Sequence, residues 1–427
     1  MSGGTAISWT APALPYLTSV NSSMPINAEE GSWVGALLPV GALFGGLPAG
    51  SVADRFGRKN TVLGLGIPFI VSWFMIFVGN SVWVLYSARF LVGLAVGGAC
   101  ATVPMYISEI AEDSVRGTLG SYFQILLVAG IVYTYIMGAI CHYKILSVVC
   151  ALVSIVFLAA FFKAPETPVY LLKKGKKAEA EVALVRLRGN RYDIYSELDN
   201  LQMELNKHGG SGASFSLMLF QQFAGINAVV FYTEKIFIDA GSTMNPAVAT
   251  IIVGLAQLTA SYGSAVLIER AGRKLLLLVS SAVMSLCLGV LGGYFHVKDS
   301  GTDVSNFGLV PLAAVVVYML VFSAGFGPIP WLMTGEILPQ AIKGPATGMA
   351  VALNWALAFV VTKSFQDLVS TFGSAVTFWI FGIVCVLGFI FVYILVLETK
   401  GKSIYEIQNE LGGKKEPKVN INNNEIA

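Results

Sequence analysis

The sequence predicts an all-α membrane protein of twelve transmembrane helices, built as two six-helix repeats with a cytoplasmic helical linker. Three observations predict this class. Apolar residues make up 55% of the 427 residues and charged residues only 12%, which is too little polar surface for a soluble globule. Apolar runs of about 20 residues, the length that crosses a bilayer, recur along the chain. Similar charged motifs follow corresponding runs in both halves.

The apolar runs form the predicted spans, numbered one to twelve in chain order. Gly3 and Gly4 stand at the start of span one, close to Met1, so a shortened helix is expected there. It lacks the basic front and long apolar block of a cleavable signal peptide. The predicted spans are 4–20, 33–53, 61–79, 82–105, 117–140, 145–163, 215–237, 247–268, 275–295, 309–333, 345–363 and 374–397.

Basic residues gather in alternate loops, and loops that are rich in Lys and Arg stay in the cytoplasm. This pattern predicts a multi-pass protein with both termini cytoplasmic. The loops expected outside keep only Lys144, Lys235, Lys298 and Lys363. The same orientation places the acceptor pattern Asn21-Ser22-Ser23 in the first outer loop, so Asn21 is a candidate glycosylation site.

Acidic and basic residues repeat at the same ends of corresponding spans. They follow spans two and eight, lie between spans four and five and between spans ten and eleven, and follow spans six and twelve. Three recurrences in the same order indicate two parallel repeats. The predicted division is a first half at 1–164, a linker at 165–214, a second half at 215–399 and a cytoplasmic tail at 400–427. The repeated positions are Asp54, Arg55, Arg58, Glu109, Arg116 and Glu166, then Glu269, Arg270, Arg273, Glu336, Lys343 and Glu398.

Carboxylates and basic side chains at neighbouring helix ends can form charge-assisted bonds that hold one conformation of a moving bundle closed. The preference for basic cytoplasmic loops explains the Lys and Arg residues, but it explains neither the acids nor their repetition. We therefore predict a gating network at these positions. Arg89, early in span four, is a charge at membrane depth and is grouped with this network as a functional or packing charge.

Amide side chains lie inside several predicted spans, together with Trp331 and Trp355. At membrane depth such groups face a cavity or another helix. Because amides both donate and accept hydrogen bonds, this set suits a neutral polyhydroxy ligand. The alternative is hydrogen bonding between helices. The amides are Gln124, Gln221, Gln222, Asn227, Gln257 and Asn354.

Glycines at small-x-x-x-small spacing predict close packing of spans two and four. These glycines are Gly41, Gly45, Gly46, Gly93 and Gly97.

Other classes of function find little support. The net charge is +2 without a separate basic stripe, which argues against nucleic acid. The five cysteines lack C-x-x-C spacing and are expected to be buried thiols. His142, His208 and His296 are scattered in predicted loops, so no catalytic triad or metal cluster is expected. The chain is therefore predicted to be no enzyme and to use no cofactor or metal.

These motifs together resemble the sugar porters of the major facilitator superfamily, and among them the arthropod facilitated trehalose transporters and related glucose carriers. The resemblance covers nearly the whole chain. It rests on Asp54–Lys59, Arg89, Tyr106–Arg116, Pro165–Pro168, Gln221–Asn227, Glu269–Lys274, Gly325–Trp331, Asn354-Trp355 and Glu398–Gly401.

The resemblance implies the major facilitator fold and facilitative transport of a sugar, trehalose or a hexose such as glucose, by alternating access across the plasma membrane. It also implies a movable Gly-Pro-rich break in span ten and an inner charge lock. Span one contains no Asp or Glu, so uniport is expected; a proton-coupled symporter and a non-transporting sugar sensor remain open, and a monomer is compatible with the sequence. The expected sugar contacts are Gln124, Gln221, Gln222, Asn227, Gln257, Trp331 and Asn354.

Four positions depart from the family pattern. Val169 stands where an arginine often follows the Pro-Glu-Thr-Pro motif, and Lys343 replaces an arginine that could bind a carboxylate with two bonds. Both changes predict a weaker inner lock. Ser323 and Ala358 replace an acid and an asparagine of glucose carriers, which predicts a cavity suited to a different sugar.

Overall fold

The computed structural model describes residues 1–19, 22–112, 115–189, 212–241, 244–302, 304–337, 343–398 and 400. Within these ranges the side chains of 116, 117, 212–215, 265, 269, 305, 334–337 and 343 lie outside the description. All regular structure in the described ranges is helical. The predicted all-α class is therefore confirmed.

Seven spans are single helices, and most reach further than their predicted bounds. The linker begins with the helices Pro168–Lys173 and Lys177–Arg188, and a short 3₁₀ turn covers Ser305–Phe307. A further linker helix predicted at 194–207 and the tail at 401–427 lie outside the described residues. The seven spans are Ala28–Phe56, Arg58–Val78, Val82–Ile110, Arg116–Ile140, Tyr143–Phe161, Pro246–Ala271 and Arg273–Asp299.

The remaining spans are broken or joined. Span one consists of Ser2–Ser8 and Thr10–Leu17, span seven of Gly212–Phe223 and Ile226–Ala240, and span ten of Val310–Ala324 and Ile329–Ile337. Spans eleven and twelve form one helical stretch, Lys343–Leu395, which turns sharply at Gly373, where φ is 81°.

The helix count agrees with the prediction once these breaks are considered. Nine helices in the described ranges are long and apolar enough to cross a membrane. The last of them contains both spans eleven and twelve. Spans one and seven are the two spans absent from that set, whereas span ten is counted across its break as Val310–Met333.

Local sequence explains the breaks. Proline has no N–H and its ring crowds the carbonyl four residues earlier, so Pro12 interrupts span one at Ser8. Gly225 has a φ of 86°, a left-handed conformation that favours glycine and ends the first helix of span seven. In span ten, Pro328 and Pro330 follow two glycines and prevent a continuous ladder of hydrogen bonds.

The predicted packing of spans two and four is confirmed. A side chain at Gly41 or Gly45 would overlap the backbone carbonyl of Phe90 or Leu94, and one at Gly97 would overlap that of Ala42. Small residues on both helices therefore allow the backbones to touch. Large apolar side chains are exposed around the bundle, including Phe74, Leu286 and Ile383, as expected for a surface in contact with lipid.

Two carboxylates occupy equivalent places at the starts of spans three and nine. Glu166 accepts hydrogen bonds from the backbone N–H groups of Arg58 and Lys59, each at 3.1 Å. Glu398 accepts from the N–H groups of Arg273 and Lys274, each at 3.0 Å. Neither helix has a cap of its own, because each is preceded by a glycine. These carboxylates satisfy the free N–H groups and complement the positive helix end.

The glycine before each helix is required by this arrangement. Gly57 has a φ of 97° and Gly272 a φ of 87°, and a side chain at either position would overlap the capping carboxylate. The predicted sequence repetition is thus matched at the level of atoms. We call the bundle end that holds Asp54, Arg58, Glu109, Glu166 and Glu398 the charged end, and the other the opposite end.

The cap predicts a pH-dependent stability. Burial opposes ionisation of Glu398, but N–H donors of Arg273, Lys400 and Lys274 and the Arg273 charge outweigh it and hold its pKa below the usual value. A lowered pKa in the folded state stabilises the fold above the usual pKa of 4.5 and loses this contribution as pH falls. Glu398→Ala should lower the melting temperature in detergent by roughly 1–3 °C at neutral pH.

The difference should shrink near pH 4, below the usual pKa of 4.5, because the unfolded chain then binds a proton that the folded carboxylate resists. Glu179→Ala is the matched control, since Glu179 forms an exposed ion pair with Lys176 at 2.8 Å and caps no span. Equal losses at both pH values for Glu398→Ala would contradict a role for the ionised carboxylate.

Candidate functional site

A cavity lies in the middle of the bundle, between the first six and the last six spans. It contains about 630 Å³ of space, part of it open to solvent. All seven residues predicted to contact a ligand line it: Gln124, Gln221, Gln222, Asn227, Gln257, Trp331 and Asn354. Sequence reasoning missed most of the apolar wall, which includes Ile7, Phe123, Leu127, Ile131, Ile226, Val230 and Phe322.

Four of the cavity amides form one hydrogen-bond network between spans seven and eleven. Asn354 donates to Gln221 at 2.8 Å and accepts from Gln222 at 2.7 Å. Asn227 donates to the side-chain oxygen of Gln222. Hydrogen bonding between helices, the alternative considered for these residues, therefore occurs at the same positions that line the cavity.

Spans seven and ten each donate hydrogen bonds to backbone carbonyls in the break of the other span. The amide of Gln221, in span seven, donates to the carbonyls of Phe326 at 2.7 Å and Gly327 at 3.0 Å, inside the break of span ten. In return, the hydroxyl of Tyr318, in span ten, donates at 2.9 Å to the carbonyl of Ala224, inside the break of span seven. Sequence reasoning expected the broken segment but missed Tyr318, which carries no motif.

Other polar groups on the cavity wall keep their hydrogen-bonding capacity. The amides of Gln124 and Gln257 have no hydrogen-bond partner within the described ranges, and the buried Nε1 of Trp355 also has none. Trp355 adjoins Asn354 and belongs with the predicted set. These three groups are the ones that a ligand can engage without first displacing a protein partner.

The described wall of the cavity carries no acidic or basic side chain. A neutral solute fits such a wall, because a charged one would be left without a counter-charge in a low-dielectric site. Ser323 and Ala358 are buried but are not among the lining residues. Their departure from the family pattern therefore does not alter the wall directly.

At the charged end, the predicted network is present in the first six spans. The guanidinium of Arg58 is 1% exposed and contacts Glu109 at 3.0 Å and Asp54 at 2.8 Å. Thr167 donates to the same Glu109 carboxylate at 2.6 Å. A buried cation is held here by two acids, and one of these acids also accepts from a hydroxyl, which makes the cluster costly to open one partner at a time.

Other predicted members of the network are placed differently. Arg55 and Arg270 are exposed, and Arg55 lies 5.4 Å from the ring of Phe56. Glu166 and Glu398 cap helices, and the backbone of Arg273 donates to Glu398. The side chains of Arg116, Glu269, Glu336 and Lys343, and the candidate glycosylation residue Asn21, lie outside the described residues.

Arg89 requires a correction. It was grouped with the ion pairs, but no carboxylate contacts it in the described ranges. Its guanidinium is fully buried and donates to the carbonyls of Ala6 at 2.7 Å and Val34 at 3.1 Å. It also lies 5.5 Å from the ring of Trp9. Arg89 thus fastens the interrupted span one to spans two and four through backbone oxygens and an aromatic face.

Away from the charged end, polar contacts join the first six spans to the last six. The hydroxyl of Tyr135 donates to the carbonyl of Val230 at 3.1 Å. The ammonium of Lys363 donates to Ser32 at 2.9 Å and lies 4.9 Å from the ring of Trp33. No sequence motif pointed to these contacts.

The profile of the family described as "Sugar (and other) transporter" matches residues 16–411. The chain belongs to this family. A relative named facilitated trehalose transporter Tret1-2 homolog, from Drosophila sechellia, is 42% identical over 96% of this chain and 88% of its own length. The facilitated trehalose transporter Tret1 of Polypedilum vanderplanki is 40% identical over 96% of this chain and 85% of its own length.

Several relatives are longer. The facilitated trehalose transporter Tret1 of Drosophila virilis is 42% identical over 96% of this chain but only 47% of its own length. The chain therefore spans about half the length of such relatives.

Solved structures agree with the predicted fold. The structure described as the major facilitator superfamily proton:xylose symporter XylE bound to 6-bromo-6-deoxy-D-glucose gives a TM-score of 0.82 at 25% identity, over 95% of this chain and 97% of that chain. The human organic anion transporter MFSD10 gives 0.59 at 16% identity, over 90% of this chain and 89% of that chain, and shows the fold alone. The major facilitator fold is confirmed.

Removal of the bonded amide of Gln221 and of the unbonded amide of Gln257 should have different effects on the stability of the protein. Gln221→Ala leaves the carbonyls of Phe326 and Gly327 without their donor and should cost about 1–3 kcal/mol. Gln257→Ala removes no protein hydrogen bond and should change the melting temperature little. Thermal unfolding of both variants in detergent checks this. A Gln221→Ala protein as stable as the wild type would refute the support of the broken segment by Gln221.

Proposed function

We propose that the chain carries a neutral sugar, trehalose or a hexose such as glucose, across a membrane by facilitative alternating access. The single observation that carries the proposal is the central cavity, whose wall offers amides and indole rings but no described charge. Hydroxyl groups of a sugar both donate and accept, and they match amide groups of either polarity. The names of the relatives as facilitated trehalose transporters support the substrate class.

In this proposal, Gln124 and Gln257 bind sugar hydroxyls from opposite sets of six spans, and Trp331 and Trp355 pack against the ring. A ligand held in this way draws the two sets together. Gln221 links the same cavity to the carbonyls of the broken span ten, so a shift of the amide network changes the support of that segment. Binding and movement are thereby coupled through hydrogen bonds.

The proposal includes an orientation of the protein in the membrane. Basic loops at the charged end favour a cytoplasmic position for that end and for both termini. The Arg58 cluster would then stabilise the conformation in which the cytoplasmic end is closed. The plasma membrane and a monomeric state complete the proposal.

Counterflow of labelled trehalose and glucose in vesicles tests the function. Gln257→Ala should raise the half-saturating sugar concentration roughly tenfold, because one or two hydrogen bonds to the sugar are lost. Asn80→Ala is the matched control, since Asn80 is an exposed amide that accepts from Lys144 at 2.6 Å. Sugar binding without flux would instead support a sensor, and an unchanged affinity of Gln257→Ala would remove the proposed contact.

A proton-coupled symporter is the second candidate, and Glu234 is the observation that favours it. This carboxyl is half-buried in span seven and no hydrogen bond or ion pair to it occurs within the described ranges. It lies one helical turn beyond Val230, which lines the cavity. An intramembrane acid of this kind is a place where a proton can bind.

The two candidates differ in their response to a proton gradient. If transport is facilitative, a pH gradient should produce no sugar accumulation, and Glu234→Gln should leave the steady-state sugar level unchanged. If accumulation occurs in the wild type and disappears in Glu234→Gln, the uniport proposal fails. Glu179→Gln, on the exposed linker helix, controls for the loss of one carboxylate.

A further inference from the structure

Three basic residues form a surface beside span six at the charged end. Lys163 and Arg186 are exposed, and Lys59 is partly exposed. The guanidinium of Arg186 donates to the carbonyl of Lys163 at 2.5 Å, which brings the linker helix Lys177–Arg188 against the end of span six. The ammonium of Lys59, in the first turn of span three, lies 5.9 Å from the ring of Phe162. We name this group the Lys59–Lys163–Arg186 surface.

The cations of this surface have no carboxylate partner within the described ranges. Glu166 adjoins this surface, and its oxygens accept from backbone N–H groups of Arg58, Lys59 and Thr167. Two other basic residues of the linker have partners of their own. Lys176 pairs with Glu179 at 2.8 Å, and Lys174 lies 5.7 Å from the ring of Tyr170. Even with Glu166 counted, the surface keeps an excess of positive charge.

An apolar surface begins beside these cations. Phe162, at the end of span six, is 70% exposed although Lys59 approaches its ring. Exposed apolar side chains continue toward the membrane interior on spans six and three, at Val156 and Ile67. A basic group beside an exposed phenyl ring at a helix end is typical of the boundary between lipid headgroups and acyl chains.

We propose that the Lys59–Lys163–Arg186 surface binds the phosphate group of an anionic phospholipid, with the acyl chains lying along spans three and six. Three cations match the negative headgroup, and the exposed ring and aliphatic side chains match the chains below it. A free phosphate would use only the cations, and it would leave the apolar surface without a role. The site is separate from the central cavity and does not depend on the transported solute.

The test measures lipid retained by the purified full chain. The protein is reconstituted in vesicles of phosphatidylcholine with about 20% phosphatidylserine, extracted in mild detergent, and examined by native mass spectrometry; membranes carry anionic lipids of this class in the cytoplasmic leaflet. The wild type should retain phosphatidylserine in preference to phosphatidylcholine. The triple variant K59Q/K163Q/R186Q should retain roughly five- to tenfold less phosphatidylserine.

A matched control removes the same number of charges, all of them from the linker. K174Q/K176Q/K177Q alters three basic residues away from Phe162 and should reduce retention less than about twofold. Equal losses in the two triple variants would overturn the proposal in favour of a diffuse charge effect. Retention of both lipids in equal amounts by the wild type would also overturn it, as would complete displacement of phosphatidylserine by inorganic phosphate.

Folding is controlled in the same samples. Each variant should elute as a single species in size-exclusion chromatography and melt within a few degrees of the wild type. If the test triple variant unfolds, the single variant Arg186→Gln replaces it, because the Arg186 side chain is exposed and its hydrogen bond is peripheral. Retention by Arg186→Gln equal to that of the wild type then overturns the proposal.

Discussion

The interior of a bilayer offers no water to the peptide backbone, so each carbonyl and N–H group of a spanning helix must find a partner inside the protein. Three spans are interrupted in the part of the chain that the structure describes, and the protein supplies partners at the interruptions. Spans seven and ten bind each other through Gln221 and Tyr318. Span one is held at Ala6 by Arg89. The breaks of spans seven and ten are therefore joined to each other, and residues beside all three breaks line the cavity.

The same requirement explains why the two sets of six spans share one chemistry at the charged end. Spans three and nine begin without caps, and Glu166 and Glu398 provide acceptors from the far end of each set. A carboxylate that closes a helix start also ties the sixth helix of its set to the third. Each set is thus fastened into a unit by a bond that spans most of its sequence.

Much of this arrangement could be predicted from the sequence, because local sequence patterns determine it. Hydropathy located the spans, the repeated acids and bases located the charged end, and the amides of span seven located the cavity. The contacts that failed prediction depend on tertiary geometry. Arg89 was grouped with the charge network as a functional or packing charge, but two carbonyls and an indole ring hold it in place of an acid. Tyr318, Tyr135 and Lys363 carry no motif, and only folding shows which backbone oxygen or ring lies within their reach.

Spans two and eleven touch near both of their ends. At the charged end, the backbone of Gly344 lies where a side chain of Gly50 would be; at the opposite end, Lys363 reaches Ser32 and Trp33. Two helices joined in this way cannot separate evenly along their length without losing both contacts at once. They can instead tilt relative to each other about the point between Gly46 and Val351, where the helices also meet. A tilt about that point would break one of the two contacts and keep the other.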